Sequence, residues 1–555
     1  MPTPPFPLLC RTAVCSALLM FSAGVVLTAD GVAADRREVP DFGLILNNDG
    51  DQSYPDADPM KCEAGVRRMI ATLDGTPVRT LAYSIGAGSD ILYYPTQVAS
   101  NFGWRSTKLD DDHVWSARVH RGRAAAELGI DPVRAAGEQA HAMGLRFLPS
   151  YRMNDMHFVV DPENYPLTGK FWREHRALQI GSSPVKGWNY SALFDFAHPE
   201  VREFRLKIIF EAIDRFADLM DGLELDFVRF QVFFRPGEAE AHAHLITEML
   251  AQVRCRLREE ERKRGRPFPL LVRVPPALRN CHWAGLEVEK WMRERLVDVV
   301  LPAQYLTLAH DMPVNEFVAA ARDSGCQIYP SLYDWTHWRA LYERAVPEWP
   351  FQGDTRTSKS KPPMTRLATP PLLAGARENY RAMGAAGFQM YNYRLPLVAS
   401  HRVIASILAA PAGKPQVPRI YEVTHGYFND HEDSFQYRKQ LPVTISPGST
   451  VTLRLFVGED VSATASKATL RLGVRNVKTA AQIQLTLNGH ALTGVLVPTA
   501  PQTRKDTAAA FLHLPLDAAK VLKQGWNEVS INVDAKAPGK VTVSECQVGM
   551  AKSEK

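Results

Sequence analysis

The sequence predicts an α/β protein, a (β/α)8 TIM barrel followed by a C-terminal all-β sandwich of jelly-roll type. Three observations predict it. Eight short β-like runs alternate with longer helical patterns between Asp41 and about Ala410. The proline-rich stretch Pro411 to Pro418 (PAGKPQVP) then breaks the pattern. Beyond it, short alternating runs separated by turn residues continue without a helical period. At 555 residues the chain has room for one large barrel plus a smaller module.

In chain order, residues 1–34 have the shape of a secretory signal. Arg11 precedes the apolar run Ala13 to Ala29, and small residues ending in Val32-Ala33-Ala34 follow. An uncleaved anchor is the alternative, because the run is near the lower length limit of a spanning helix. No later stretch is long and uncharged enough to span, so the expected product is exported to the periplasm, the medium or the cell surface. No membrane contact is expected beyond the signal segment.

The barrel is expected over 41–410. Its strand candidates are Phe42–Leu46, Arg79–Ile85, Leu145–Tyr151, Gly222–Phe230, Leu270–Val274, Val297–Pro302, Gln327–Tyr333 and Gly387–Tyr393. Amphipathic stretches such as Val201–Met220 and Gly285–Leu296 lie between them. A doubly wound open sheet would carry a Gly-rich phosphate turn after its first strand, whereas this strand runs into Asn47-Asn48-Asp49-Gly50-Asp51. Two βα loops are long, Arg152 to about Tyr190 and about Trp335 to Pro371. The second contains the tract Thr355–Lys361. In a barrel, loops after strands form the active face. After the 411–418 linker, the runs Val451–Val457, Ala468–Val474, Ile483–Leu487, Ala509–Leu514 and Glu528–Val533 predict a sandwich over 419–550. Asn488-Gly489 and Gly525 mark turns. Such a module serves as a stabilising appendage or as a carbohydrate binder.

Composition narrows the function classes. Lys plus Arg is 65 and Asp plus Glu is 60, an excess of +5 that gives no basic face for nucleic acid. The one dense basic run, Arg254 to Arg266, is interleaved with Glu259, Glu260 and Glu261 and reads as a solvated helix end. Of seven cysteines, Cys10 and Cys15 leave with the signal. Cys62, Cys255, Cys281, Cys326 and Cys546 remain without a CxxC pair. Cys255 and Cys281 are the pair an oxidising compartment would allow to join.

The segment Asp221 to Phe230, DGLELDFVRF, carries the chemistry. Alternate side chains of a strand share a face. Glu224 and Asp226 therefore point one way and Leu223, Leu225 and Phe227 the other. The apolar set suits the helix side, which puts two carboxylates inside the barrel. Burying them is expensive without partners. The structural alternative is an ion pair, Asp226 with Arg229 or Glu224 with an arginine such as Arg273. The segment resembles fourth-strand motifs of glycoside hydrolase barrels. It is similar to the DGxDxDxE motif of family 18 chitinases up to Asp226 and departs at Val228, where that family has its acid Glu. It resembles more closely the glycosyl-hydrolase-like family 10 group, a bacterial barrel type whose fourth strand reads DGxxxDxxR. Asp221, Gly222, Asp226 and Arg229 match that pattern, and the stretch Val272–Pro302 is also similar. The resemblance covers about Phe42 to Ile407 and implies a hydrolase-like barrel.

Glycoside hydrolysis needs two carboxyl groups flanking the bond, about 5 Å apart for retention and about 6.5–9.5 Å for inversion. Asp226 is the expected nucleophile or base. Asp334 and Glu224 are the leading candidates for its partner, ahead of Asp49, Asp51 and Asp155. Asn47, Asn48, Asp49, Tyr151, Arg152, Arg229, Gln304, Tyr305, Trp335, Tyr391 and Asn392 are expected to bind substrate, since they lie at strand ends or just beyond. Amides and carboxylates hydrogen-bond sugar hydroxyls, and aromatic faces pack on sugar rings. The expected partner is a carbohydrate, and no cofactor is implied. His242-Ala243-His244 has metal-pair spacing but sits in a helical stretch. The cluster Asp49, Asp51, Asp56 and Asp58 lacks the glycine and final Glu of an EF-hand. No metal site is therefore expected, and a metal-dependent hydrolase is the third-ranked reading. No HExxH, GxxxxGK[ST] or GxSxG motif is present. The second-ranked reading is a non-catalytic carbohydrate-binding protein on a degraded barrel.

Overall fold

In the computed structural model the described residues are 39–88, 90–105, 116–155, 167–182, 190–305, 307–337, 365–411, 417–424, 440–461, 467–498 and 509–551. The expected signal segment, the Thr355–Lys361 tract and most of the expected linker lie outside them. Among the described residues no helix is long and apolar enough to cross a membrane.

The N-terminal three-quarters of the chain builds a nine-stranded parallel sheet. Its order is 327–328, 299–302, 270–274, 223–226, 146–152, 78–84, 44–48, 388–390 and 331–332. The two outermost members come from one segment. Gln327 pairs with Val299, while Ser331 pairs with Gln389 on the far side of the sheet. Between them stand Tyr329 and Pro330, and proline has no N–H to give a ladder. The sheet is therefore strongly curled, and Ala303 bridges to Ser331 across the interruption. Helices follow most strands, among them Pro199–Phe216, Ala239–Arg264 and Pro370–Ala382.

The period-two alternation sorts the side chains. Leu46, Leu81, Phe147, Leu223, Leu225, Val272, Val300 and Met390 belong to the core shared with the helices. Ile45, Ala82, Leu148, Leu271, Leu301 and Tyr329 form a separate apolar cluster inside the curl. Moving two residues along the same faces changes the chemistry. Ile45 gives way to Asn47 and then Asp49, Leu148 to Ser150 and Arg152, and Leu271 to Arg273. The interior thus has an apolar floor, a neutral polar middle and a charged rim at the C-terminal ends of the strands.

The C-terminal part forms two antiparallel sheets, one of six strands and one of four. Val541–Met550 pairs with Arg419–Glu422, Val443–Ile445 and Lys467–Arg475 in the larger sheet. Thr450–Val457, Gly525–Val533 and Ile483–Leu487 are consecutive in the smaller. Asn488-Gly489 makes the two-residue turn that pairs Leu487 with His490. Leu455, Leu472, Leu485, Ile531 and Val548 share one core drawn from both sheets. These sheets also touch the helix Pro370–Ala382. Asn379 donates to the carbonyl of Phe456 at 3.1 Å. A Cβ at Gly375 would stand 2.1 Å from the carbonyl oxygen of Ile420, so only glycine permits that approach. Among the described residues no disulfide joins Cys62, Cys255, Cys281, Cys326 or Cys546, and Cys255 is exposed while Cys281 is buried. The Cys255–Cys281 bridge that an oxidising compartment would allow is not formed.

Candidate active site

Asp226 ends its strand at the charged rim and is 2% exposed. Its Oδ1 accepts from the backbone N–H of Val228 at 2.8 Å and from Arg273 Nη1 at 3.1 Å. Among the described residues no hydrogen bond falls on Oδ2. Arg273 is fully buried, and its guanidinium lies 3.3 Å from the centroid of the Tyr391 ring. The ring is a partial counterpart for a charge that could not be left bare there. Burial pushes the Tyr391 phenol up to about 12, against the pull of Arg229 and Arg273. The phenol therefore stays protonated, and its oxygen accepts from Arg229 Nη1.

Arg229 continues the chain of contacts to Asp49 Oδ2 at 2.9 Å. Asp49 Oδ1 meets Arg152 Nη2 at 2.8 Å, and Arg152 Nη1 meets Asp155 Oδ2 at 2.9 Å. The turn after the first strand aims Asp49 inward. Asn48 Oδ1 accepts from Gly50 N at 2.9 Å, and Gly50 has φ +68°. A Cβ at Gly50 would stand 2.3 Å from the carbonyl oxygen of Ser84. The rim is thus a relay of alternating sign, with Asp226, Asp49 and Asp155 matched by Arg273, Arg229 and Arg152.

Beneath it lies Glu224, fully buried. Oε1 accepts from Asn47 Nδ2 at 3.1 Å and Ser150 Oγ at 2.6 Å, and Oε2 accepts from Gln389. Ser331 Oγ in turn donates to Gln389 Oε1 at 2.6 Å. Burial raises the Glu224 pKa, and the Asp226 charge adds to this. The Ser150 and Gln389 hydrogen bonds and the Arg273 charge oppose it.

The fold brings Asp226, Arg229, Asp49, Arg152 and Tyr391 together. Tyr305 packs beside them against Phe230, ring centroids 6.2 Å apart, with its phenol raised by burial. Asn47 is engaged one layer down by Glu224, and its Oδ1 accepts from Asn392 N at 3.3 Å. Asn392 Nδ2 donates to the Tyr333 hydroxyl at 3.3 Å. Asn48 caps its own turn and also donates to the carbonyl of Tyr393 at 3.1 Å. Gln304 is buried. Trp335 lies in a strand paired with Thr365–Leu367, and its side chain is outside the described residues.

Two expected residues face away from the rim. Asp334 Oδ2 meets His401 Nε2 at 2.9 Å, and His401 belongs to the helix Ala399–Ala409 behind the sheet. Tyr151 belongs to the core shared with the helices, and its hydroxyl accepts from Arg205 Nη1 at 2.8 Å. The reason is the same for both. Tyr329 and Ser331 point inward, so Tyr333 does and Asp334 does not. Ser150 and Arg152 point inward, so Tyr151 does not. Tyr333, whose ring lies 5.8 Å from that of Tyr391, takes the place expected of Asp334. Arg273, Gln389, Ser150 and Tyr333 were not among the expected site residues. The period-two rule applied to LLVRV, GFQMY, LRFLPSY and QIYPSLY would have found all four.

No group of three or more His, Cys, Asp or Glu converges as a metal site among the described residues. His242 and His244 ride on the long helix Ala239–Arg264.

The chain matches no protein-family model and no curated protein. Solved structures similar to it include a chitinase from Bacillus thuringiensis, at 9% identity and TM-score 0.39, covering 91% of this chain and 100% of that one. A cell-surface multi-modular chitinase from Paenibacillus is 11% identical at TM-score 0.38, over 91% of this chain and 56% of that one. A bacterial fucosidase is 8% identical at TM-score 0.36, over 88% and 94%. The chain thus spans little more than half of the Paenibacillus enzyme. All three similar structures are glycoside hydrolases, and none of them is similar enough to assign this chain an activity or a family.

Proposed function

We propose that this chain is an exported glycoside hydrolase acting on a poly- or oligosaccharide, with its curled sheet closed as an eightfold (β/α)8 barrel over 41–410. The pairing of one segment, Gln327–Leu332, with both ends of the sheet supports closure. The single core shared by the two C-terminal sheets supports a sandwich over 419–550. The close approach at Gly375 supports a stabilising role for that module. Export rests on the N-terminal apolar run.

The observation that carries the hydrolase reading is the unequal treatment of the two Asp226 oxygens. Oδ1 is fixed by a backbone N–H and a buried guanidinium, and Oδ2 has no hydrogen-bond partner among the described residues. A nucleophile or general base needs that arrangement, one oxygen to hold its aim and one to react. Tyr391, Tyr305 and Tyr333 offer surfaces for sugar rings, and Arg229 and Asn392 lie close to them. The acid partner would protonate the leaving oxygen.

A second reading, a carbohydrate-binding protein, is favoured by one specific observation. Each of the other expected carboxylates is engaged, Asp49, Asp51 and Asp155 by arginines, Glu224 by three neutral donors and Asp334 by His401. The two readings separate in one experiment, reducing-end release from a broad polysaccharide panel by the mature chain beside Asp226→Asn. Asparagine keeps Oδ1 and both of its hydrogen bonds, so the substitution tests Oδ2 with little disturbance. Release by wild type that falls roughly 10²–10⁴-fold in the variant supports the hydrolase. Equal release by both removes Asp226 from the chemistry. No release, with retention of a polysaccharide by both in affinity electrophoresis, selects the binding protein.

A further inference from the structure

A cavity of about 900 Å3 opens beside the rim, at the same end of the sheet, between the loop following Asp226 and the helices Leu278–Trp283 and Val288–Arg293. Among the described residues none of the Asp226 relay lines it. Its size falls within the roughly 300–1,000 Å3 of small-molecule sites.

Two observations point to a ligand. Gln231 lines the cavity and is 1% exposed, yet neither its Oε1 nor its Nε2 has a hydrogen-bond partner. A buried amide with all its capacity unused is rare in native proteins and marks a place where something else supplies the partners. One acceptor and two donors on adjacent atoms match neighbouring hydroxyl groups. Trp283, which also lines the cavity, is 39% exposed and offers a large apolar side chain at the surface.

Charge identifies the class. Arg235, Lys290 and Arg293 line the cavity together with Glu240, Glu287 and Glu289, three cations against three carboxylates. Several are already paired, Arg235 with Asp195 at 3.2 Å and Lys290 with Glu287 at 3.2 Å. Such a lining has no net attraction for an anion or a cation, and its polar rim suits a ligand that carries hydroxyls and no charge.

We propose that this cavity is a second carbohydrate site, separate from the Asp226 rim, which takes a neutral sugar unit between the Gln231 amide and the Trp283 ring. The ligand class rests on the carbohydrate reading above, and the place rests on the cavity alone.

The test is calorimetric titration of the full mature chain carrying Asp226→Asn with cellohexaose, xylohexaose, mannohexaose and N-acetylchitohexaose. Trp283→Ala and Gln231→Leu are then added singly to that background. At least one hexasaccharide should bind, and each substitution should weaken it about tenfold or more. Gln231→Leu should melt no lower than its parent, because it removes only unused hydrogen-bonding capacity. Binding that survives both substitutions overturns the proposal, as does binding of none of the four, or a loss in Gln231→Leu accompanied by a lower melting temperature with Trp283→Ala unaffected. Hydrolysis by the unsubstituted chain, measured in parallel, keeps the two ideas distinct. Activity with Trp283-independent binding leaves Asp226 standing and removes this site, and inactivity with Trp283-dependent binding does the reverse.

Discussion

Glu224 and Asp226 are two residues apart on one strand, share a face and are both almost sealed from solvent, yet the protein treats them in opposite ways. Glu224 sits in the neutral middle layer, and hydrogen-bond donors occupy both of its oxygens. Asp226 sits one layer higher, where its counterpart is a cation and the hydrogen bonds from the described residues fall on Oδ1. Position along the interior separates them more than residue type does. On the proposed hydrolase reading, the carboxylate surrounded by neutral donors is the structural group and the one gripped on a single oxygen by a fixed charge is the reacting one. Asp49, held by Arg152 and Arg229, is a third case, a hub whose charge is spent on orienting two arginines.

The comparison is broken most directly by exchanging amide for acid at each position. Asp226→Asn should remove hydrolysis roughly 10²–10⁴-fold in kcat. Glu224→Gln, tested on the same substrate, should change kcat far less. An equal loss at both positions would mean that the middle layer takes part in the reaction.

Arg273 sharpens the comparison through stability. Arg273→Met keeps much of the volume and removes the only cation hydrogen-bonded to Asp226 among the described residues, so that Asp226 is left charged and buried. Removing one partner of a buried pair costs about 3–5 kcal/mol, to be read as a lowered urea midpoint at unchanged slope. Combining it with Asp226→Asn should recover a large part of that loss, because the uncompensated charge is gone. Additive losses in the double variant would show that Arg273 stabilises the fold mainly through its stacking on Tyr391. Tyr391→Phe should cost less, about 1.5–3 kcal/mol, as it deletes one acceptor for the Arg229 guanidinium and leaves the ring over Arg273. Unchanged stability there would mean that the Tyr391 hydroxyl contributes little to holding Arg229.

Much of this architecture is legible in the sequence, and the gaps have physical causes. All eight expected runs of the parallel sheet are present, because each is a short apolar stretch bounded by turn residues. The inward direction of Glu224 and Asp226 follows from period two. The same rule places Asp334 and Tyr151 outside, but loop position argues for both as ligands, and that argument ignores face. The strand Val541–Met550 is missed because its run VTVSECQVGM mixes polar residues on a face that the fold nevertheless buries. The Arg229–Asp49 contact joins residues 180 positions apart, and no local pattern encodes which strand ends meet. Gln231 is likewise invisible, since its importance lies in the partners it lacks.

The smallest expected effect concerns the pH dependence of Glu224. The amide swap itself should shift stability by about 0.5–1.5 kcal/mol, the scale of one hydrogen bond. Gln389 can turn its amide so that its oxygen meets the new NH2 group. The dependence on pH has a definite sign. Burial raises the Glu224 pKa above its unfolded value of about 4.3. The folded chain therefore holds this proton where the unfolded chain has released it. The stabilisation from that proton is fully present below about pH 4.3 and is lost as pH rises through the folded value. Glutamine does not titrate, and the other carboxylates contribute nearly alike to both proteins. The stability of wild type minus that of Glu224→Gln should fall with rising pH across this window and then level off. A difference that rises with pH would mean that the three donors outweigh burial and that Glu224 is held as a carboxylate. It would then resemble Asp226 in charge while still lacking its unpartnered oxygen.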